Sequence, residues 1–303
     1  MSLDPDFDVP RGVPAVGDWI VKVRDDGVSE CRDHLAVEEP LEIRLGGQTL
    51  SITMRTPGDD EELVAGLLFS EGVITSADDL DVVAHYRGPV DDPDLGNVIN
   101  VLLKGDLRPA RELLRRTFIS SSSCGLCGTA MVDAIRVAHP RVQSDLRVPI
   151  ERLHQLAPAM SGAQATFEKT GGLHAAGLFD AEGRLVVLRE DIGRHNAVDK
   201  VIGHMLLRRQ TPLDRHILAV SGRASFEIVQ KALAAHLPVL AAVSAPSSLA
   251  VQTARAADMT LIGFVRNRGF NVYAGAHRVV RTVAEDRDRS DTLTPGGADA
   301  WTR

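Results

Sequence analysis

Three short apolar runs in the second half of the chain, HILAVS at 216–221, VLAAVS at 239–244 and TLIGFV at 260–265, restrict the fold more than any other feature. Each run is continuous rather than alternating, so each needs cover on both faces. The stretches between them, Ser225 to His236 and Ser247 to Ala257, have the length of helices. Strands of this kind separated by helices predict an α/β architecture with a mostly parallel sheet covered on both faces. Upstream, Leu173 to Phe179 and Arg184 to Leu188 flank an Asp180-Ala181-Glu182-Gly183 turn and predict a hairpin. Asn196 to Leu207 then sets Ala197, Val198, Val201, Ile202, Met205 and Leu206 on one helical stripe.

The first half reads differently. WIVKV, LEIRL and LSITM predict strands, the last two joined through Gly46-Gly47 as a hairpin. Asp59 to Glu71 has helical spacing and an acidic first turn, and NVINVLL at 97–103 predicts another strand. Asp106 to Ser123 runs from a basic segment into a Ser- and Gly-rich loop, and Thr129 to Val137 has a helical pattern. The expected organisation is a flexible N-terminus (1–15), a smaller N-terminal α+β region (16–123), an α/β domain that includes the cysteine loop (124–284) and a flexible tail (285–303).

With 44% apolar and 25% charged residues the 303-residue chain is globular, not disordered. A net charge of −7 and 4% aromatics argue against a nucleic-acid partner. Three cysteines make no disulfide framework, which points to a reducing compartment. The opening MSLDPDFDVPRGVP lacks the basic start and apolar run of a secretory signal, and no run reaches the ~18 apolar residues of a membrane span. The expectation is a soluble, cytoplasmic protein.

The chemistry concentrates in a few places. Cys124-Gly125-Leu126-Cys127 is half of a zinc site, for which Cys31 and His34 are the remaining candidates. It is equally a pair of thiols near a helix N-terminus, where the backbone dipole favours thiolate. Ser221-Gly222-Arg223-Ala224-Ser225 and Ser244-Ala245-Pro246-Ser247-Ser248 place small hydroxyl residues between a strand and a helix. That is either plain capping or, with Arg223 and the later Arg266-Asn267-Arg268-Gly269, a setting for a phosphate-bearing ligand. His174, behind Gly171-Gly172, reads as a core histidine or as a ligand contact. Arg189 to Asn196 packs charge around Gly193, with Arg194 and His195 opening a helix, and reads as a binding loop. Arg115-Arg116 and Arg208-Arg209 read as surface charge.

Zinc nucleobase deaminases combine H-x-E with a later P-C-x-x-C. Here the order is reversed, no proline precedes Cys124, and Ala176 stands where that glutamate would be, so proton shuttling for deamination has no agent.

Taken together, SSSCGLCG, TGGLHAAGLF, REDIGRHNAVDKVIG, SGRASFEIVQKA, AVSAPSSLAV and TLIGFVRNRGFNVY resemble the FdhD family of formate dehydrogenase accessory proteins, block after block from about Trp19 to Tyr273. The resemblance implies a cytoplasmic sulfurtransferase, generally a homodimer, with a cytidine-deaminase-like three-layer sandwich. Such a protein takes persulfide sulfur from a cysteine desulfurase. It passes the sulfur to a molybdenum (or tungsten) bis(molybdopterin guanine dinucleotide) cofactor, bound as substrate and not held permanently, for formate dehydrogenase. Cys124 is then the persulfide carrier and Cys127 its helper. The resemblance further places cofactor contacts at Phe264, Val265, Arg266, Asn267, Arg268 and Gly269. To these the reading of the turns adds Ser221, Gly222, Arg223, His174, Arg194 and His195. Cys31 receives no role. The alternatives are a binding module that delivers the guanine-nucleotide cofactor without sulfur chemistry, and a zinc-stabilised structural protein.

Overall fold

A computed structural model describes residues 10–89, 92, 95–105 and 141–281. Cys124, Cys127, the expected loop over 106–123, the expected helix over 129–137 and the tail from 285 lie outside the described residues.

The chain opens with a long hairpin, β1 (Ala15–Arg24) and β2 (Gly27–Ala36), paired antiparallel around Asp25-Asp26. The WIVKV strand was legible. Its partner GVSECRDHLA was not, because its polar residues carry no strand pattern. Residues expected to belong to a flexible N-terminus are tied down where they are described: Pro14 accepts from the Val37 amide, and Arg11 donates to the Asp92 carbonyl at 2.8 Å. β3 (Glu39–Leu45) and β4 (Gln48–Arg55) form the predicted Gly46-Gly47 hairpin, where both glycines have positive φ. α1 (Asp60–Ser70) follows, then β5 (Leu80–His85) and β6 (Val98–Leu103). The four strands form a sheet in the order β4-β3-β6-β5, with β3 and β6 parallel.

The larger sheet begins after the short β7 (Val148–Pro149), α2 (Ile150–Ser161) and α3 (Ala165–Thr170). β8 (His174–Phe179) and β9 (Leu185–Asp191) make the predicted hairpin and lead into α4 (Arg194–Leu207). Then β10 (Ile217–Val220), α5 (Phe226–Ala234), β11 (Val239–Ala242), α6 (Ser248–Ala256), β12 (Thr260–Arg266) and β13 (Gly269–Ala274) alternate. The short β14 (Val279–Val280) returns to pair with β7. The sheet order is β13-β12-β11-β10-β8-β9. Only β10, β11 and β12 run parallel to one another, and the remaining pairings are antiparallel, which corrects the expected mostly parallel sheet to a mixed one. The reason is local: the β8–β9 and β12–β13 links are short turns, which can join only antiparallel neighbours, while the helical crossovers join the three central strands.

Both faces of this sheet are buried, as the continuous runs required. Along β10, Leu218 and Val220 face α4, α5 and α6, whereas Ile217 and Ala219 face Leu153, Leu156 and Met160 of α2. The alternation repeats in β11, with Leu240 and Ala242 on one side and Val239 and Ala241 on the other.

α1 lies between the two sheets. Leu63, Val64 and Leu68 pack on Leu41, Ile43, Ile99 and Val101 of the small sheet, and Leu206 of α4 joins the same cluster. On its other side α1 crosses α4 at two glycines. A Cβ on Gly66 would lie 1.9 Å from the Asp199 carbonyl oxygen, and one on Gly203 would lie 1.8 Å from the Glu62 carbonyl oxygen. Backbone meets backbone here, and no side chain fits between.

Polar groups caught beside this crossing are paired. Asp199, fully buried, accepts both contacts from Lys231 Nζ at 2.9 Å and one from Ser70 Oγ at 3.0 Å. Lys200 Nζ lies 2.8 Å from Asp191 Oδ2 and donates to the Thr56 carbonyl at 2.9 Å, with both charged side chains essentially without exposure. Glu62 accepts from Arg189 at 2.7 and 3.1 Å and contacts His204 Nδ1 at 2.8 Å. Burial opposes ionisation of Glu62, yet the bonds from Arg189 and His204 outweigh it and hold the carboxyl below its usual range.

Gly203→Ala is expected to lower the stability of the protein by about 3 kcal/mol, despite alanine's better helix propensity, because one helix must move off the other. Urea unfolding of the two chains measures it. Asp191→Asn is expected to cost about 3–5 kcal/mol, because the Lys200 ammonium then stays buried without its counter-charge. Restoration of stability by the double change Asp191→Asn with Lys200→Met checks that cause.

Candidate functional site

The carboxyl ends of β10, β11 and β12 and the start of β8 surround a cleft of about 730 Å³. Its sheet side consists of His174, Ser221, Val243, Val265, Arg266 and Asn267. The opposite wall comes from the end of α2, from α3 and from the Gly171-Gly172 turn, including Met160, Gln164 and Phe167. Gly171 ends α3 at φ +64, a conformation that suits glycine, and lets the chain turn directly into β8 at the cleft edge. The α3 N-terminus is held by Glu190, whose carboxylate accepts from the Thr166 and Phe167 amides at 2.9 and 2.7 Å.

The two strand-to-helix turns meet as the sequence suggested, since Ala224 and Pro246 form an isolated parallel bridge between them. Their hydroxyls, however, differ in use. Ser247 caps α6 by accepting from the Ala250 amide at 3.2 Å, the plain reading of that turn. Ser221 exchanges bonds with Ala175, through its amide to the carbonyl and from the Ala175 amide to its Oγ, both 2.9 Å, and so closes the β8–β10 end. Its Oγ accepts from the scaffold and keeps its own proton to donate, and the residue lines the cleft.

At the same corner stand His174, Gly222, Arg194 and His195. A Cβ at Gly222 would lie 3.4 Å from His174 Nδ1 and 3.8 Å from Arg194 Cβ, so glycine brings the turn against both side chains. Arg194 is the first residue of α4, after the N-cap Gly193, and its Nε is buried without a hydrogen-bond partner among the described residues. Arg223 is exposed on the turn. Burial, and after it the charge of Arg194, push the His174 imidazole below its usual range against the opposing pull of Asp191. The same causes act more strongly on His195. Burial first, then Arg194 and Lys231, lower its pKa to about 4 despite Glu227.

The segment 189–196 corrects the expectation of a binding loop. Arg189 pairs with Glu62, Glu190 holds α3, Asp191 pairs with Lys200, and Asn196 Nδ2 donates to the Met54 carbonyl at 2.8 Å and to Asp191. Most of this charge joins the two halves of the molecule, because a strand end covered by the first half leaves no solvent to satisfy it. Arg194 stands beside Gly222 and His174 at the cleft edge, and neither Arg194 nor His195 is among the residues that line the cleft.

The expected contact loop 264–269 is the end of β12, a two-residue turn and the start of β13, with Arg266 paired to Gly269. Val265 is buried, Arg266 and Asn267 line the cleft, and the Arg266 guanidinium donates to the Val243 carbonyl at 2.7 Å. Phe264, at φ +55 in a bulge, is 41% exposed; it, Arg268 and Gly269 lie outside the cleft lining. Strand alternation and the bulge separate residues that sequence adjacency grouped. The α2 and α3 wall was missed, because Met160, Gln164 and Phe167 follow an ordinary helix pattern; only Gly171-Gly172 signalled a close approach. Cys31 and His34 sit three positions apart on β2 and therefore on opposite faces, so they make no closed pair of metal ligands. Among the described residues no group of three or more His, Cys, Asp or Glu is arranged to hold a metal, and no helix is long and apolar enough to cross a membrane.

Fold and cleft together define a class, a mixed-sheet α/β protein with a cation-bearing cleft at the ends of its central strands. The chain belongs to the FdhD/NarQ family, whose model matches residues 36–280. It is similar to the sulfur carrier protein FdhD of Streptomyces avermitilis, 49% identical over 269 residues that cover 88% of this chain and 95% of that one. The sulfur carrier protein FdhD of Mycobacterium tuberculosis is 48% identical over 253 residues, covering 82% and 92%. The crystal structure of a Desulfotalea psychrophila chain assigned as a formate dehydrogenase accessory protein superposes with a TM-score of 0.69 at 25% identity. That likeness covers 89% of this chain and all of the other.

Arg194→Ala is expected to weaken binding of inorganic pyrophosphate about tenfold, the loss of one charge-assisted hydrogen bond worth about 1.5–3 kcal/mol. Arg24→Ala, on the β1–β2 turn, is expected to leave it unchanged. Isothermal titration of the purified variants checks both.

Proposed function

We propose that this protein is a sulfurtransferase in formate dehydrogenase maturation. Cys124 carries persulfide sulfur from a cysteine desulfurase to a molybdenum bis(molybdopterin guanine dinucleotide) cofactor, and Cys127 assists. In the loading step the Cys124 thiolate attacks the outer sulfur of the donor persulfide. A new sulfur–sulfur bond forms, the donor's own breaks, and the donor cysteine leaves as a thiolate. The cofactor is cargo, received in the cleft among His174, Ser221, Arg266 and Asn267, with Arg194, Arg223 and the amides of the 221–225 turn at its edge to take its phosphates.

The observation that carries this reading is similarity along nearly the whole length of proteins named sulfur carriers, in a chain whose sequence holds the two thiols of C-G-L-C. The cleft supports it, with a phosphate-type corner at the strand ends of an otherwise acidic protein. The same reading makes the protein a cytoplasmic homodimer whose client is formate dehydrogenase. It also makes the helix–sheet–helix core a cytidine-deaminase-like sandwich without deaminase chemistry, since Ala176 is a buried strand residue.

Incubation with an active cysteine desulfurase and cysteine, followed by intact-protein mass spectrometry, is expected to show a gain of about +32 Da, one sulfur atom held as a persulfide. The gain is expected to vanish in Cys124→Ala, and that variant is expected to leave formate dehydrogenase inactive while keeping its fold. No gain in any form, with both cysteines replaceable, would identify a module that binds and delivers the cofactor without sulfur chemistry.

A further inference from the structure

Gln164 stands at the N-cap of α3 and does none of the work of that position. Its side chain bonds to no amide of the helix, and good caps are shorter, such as Ser, Asp or Asn. The free amides of Thr166 and Phe167 are satisfied from outside by Glu190. Gln164 is only 8% exposed, yet its side-chain amide has no hydrogen-bond partner among the described residues, and it is not sealed from solvent. The residue lines the cleft. A buried amide left without a partner is costly, and the open space beside this one is the cleft. The other amide of the lining, Asn267, is exposed and stays hydrated whatever binds, whereas Gln164, buried on its other sides, can be served only from within the cleft.

Phe167, one helical turn on, also lines the cleft and is 42% exposed. Pro158, Met160 and Leu173 complete this wall, and no charged residue among the described ones lines it. Phosphate is poorly served here, because the α3 amides that could hold an anion already bond a carboxylate. The cations stand elsewhere, Arg266 in the sheet side of the lining and Arg194 at the cleft edge. A ligand with a phosphorylated end and a flat heterocyclic end is thereby oriented, its phosphates toward the sheet and its ring against Phe167. An amide sets a donor beside an acceptor, and it pairs through two bonds with a ring edge that does the same. The 2-amino-4-oxopyrimidine edge, which guanine and pterin rings share, is of that kind. A ligand without such an edge leaves the Gln164 amide unpaired.

We infer that Gln164 reads the 2-amino-4-oxopyrimidine edge of the bound cofactor, with Phe167 under the face of the ring, an assignment that rests on the cofactor reading given above and adds to it the position of the ring.

The test uses the full-length protein in isothermal titration with GDP, 6-hydroxymethylpterin diphosphate and inorganic pyrophosphate as probes. Gln164→Met, which keeps the volume and removes the amide, is expected to weaken binding of a ring-bearing probe about tenfold and to leave pyrophosphate binding unchanged. A loss confined to GDP identifies guanine as the ring, and a loss confined to the pterin diphosphate identifies the pterin. Phe167→Ala is expected to weaken the same probe about tenfold, again without effect on pyrophosphate. Because the amide makes no bond in the free protein, the melting temperature of Gln164→Met is expected to stay level or rise. In the wild type, the nitrogen-15 NMR signal of the Gln164 side-chain amide is expected to move with the ring-bearing probe and not with pyrophosphate. Unchanged affinity of Gln164→Met for both ring-bearing probes overturns the inference while leaving the cofactor reading in place, as does an amide signal that no probe moves. A lower melting temperature with all probes weakened equally overturns it too, since that marks a scaffold residue. A wild-type protein that binds none of the three probes overturns the cofactor reading itself, and this inference with it.

Discussion

The close crossing of α1 and α4 is the constraint on which the rest of the structure depends. Gly66 and Gly203 let the two backbones touch, so α1 serves both sheets: its apolar side covers the small N-terminal sheet, and its glycine side lies against the helix that covers the large one. A helix used on both sides has no solvent stripe. This accounts for the buried Asp60, Leu63, Val64, Ala65, Gly66, Leu68 and Ser70 within eleven residues. The two halves of the chain share this seam.

Closeness of that kind traps polar groups, and the seam answers with pairing. Asp199 with Lys231 and Ser70, Asp191 with Lys200 and Thr56, and Glu62 with Arg189 and His204 each join one half of the chain to the other or one helix to the next. Ion pairs this deep contribute little net stability compared with apolar packing, but their geometry is demanding, and a misplaced half leaves a bare charge. Of these ion pairs, Glu62 with Arg189 and His204 joins the first half to the second. The same helix that carries Gly203 into the seam carries Arg194, at its other end, to the Gly222 turn beside His174.

The cleft thereby inherits a rigid corner. Arg194 is held at the start of a packed helix, Gly222 removes the side chain that would separate the turn from His174, and the Ser221 oxygen ties β8 to β10. What lines the cleft is His174, Ser221, Arg266 and Asn267 on the sheet side and a wall of small and apolar residues from α2 and α3.

Continuous apolar strands, a helical stripe from Ala197 to Leu206 and turn signals at Gly46-Gly47 and Asp180-Gly183 were legible in the sequence, since burial and backbone sterics act on neighbours along the chain. The block pattern that ties the chain to its family was legible for the same reason, as was the collection of Ser, Gly, Arg and His residues at helix starts. Tertiary structure alone decided what each of them does. Whether Ser221, Ser225 and Ser247 bind a ligand, serve a histidine or cap a helix depends on what lies opposite, and Ala175, His195 and Ala250 are the answers. Whether the charges of 189–196 face water or a partner depended on α1 arriving from more than a hundred residues upstream. The direction of the outer strands was set by turn length rather than by the apolar pattern. Local sequence determined which segments become strands and helices and which residues are available for chemistry. The assignment of each polar group to scaffold or to cleft was decided by long-range packing, because a hydrogen bond or an ion pair is a property of two positions that the sequence does not place side by side.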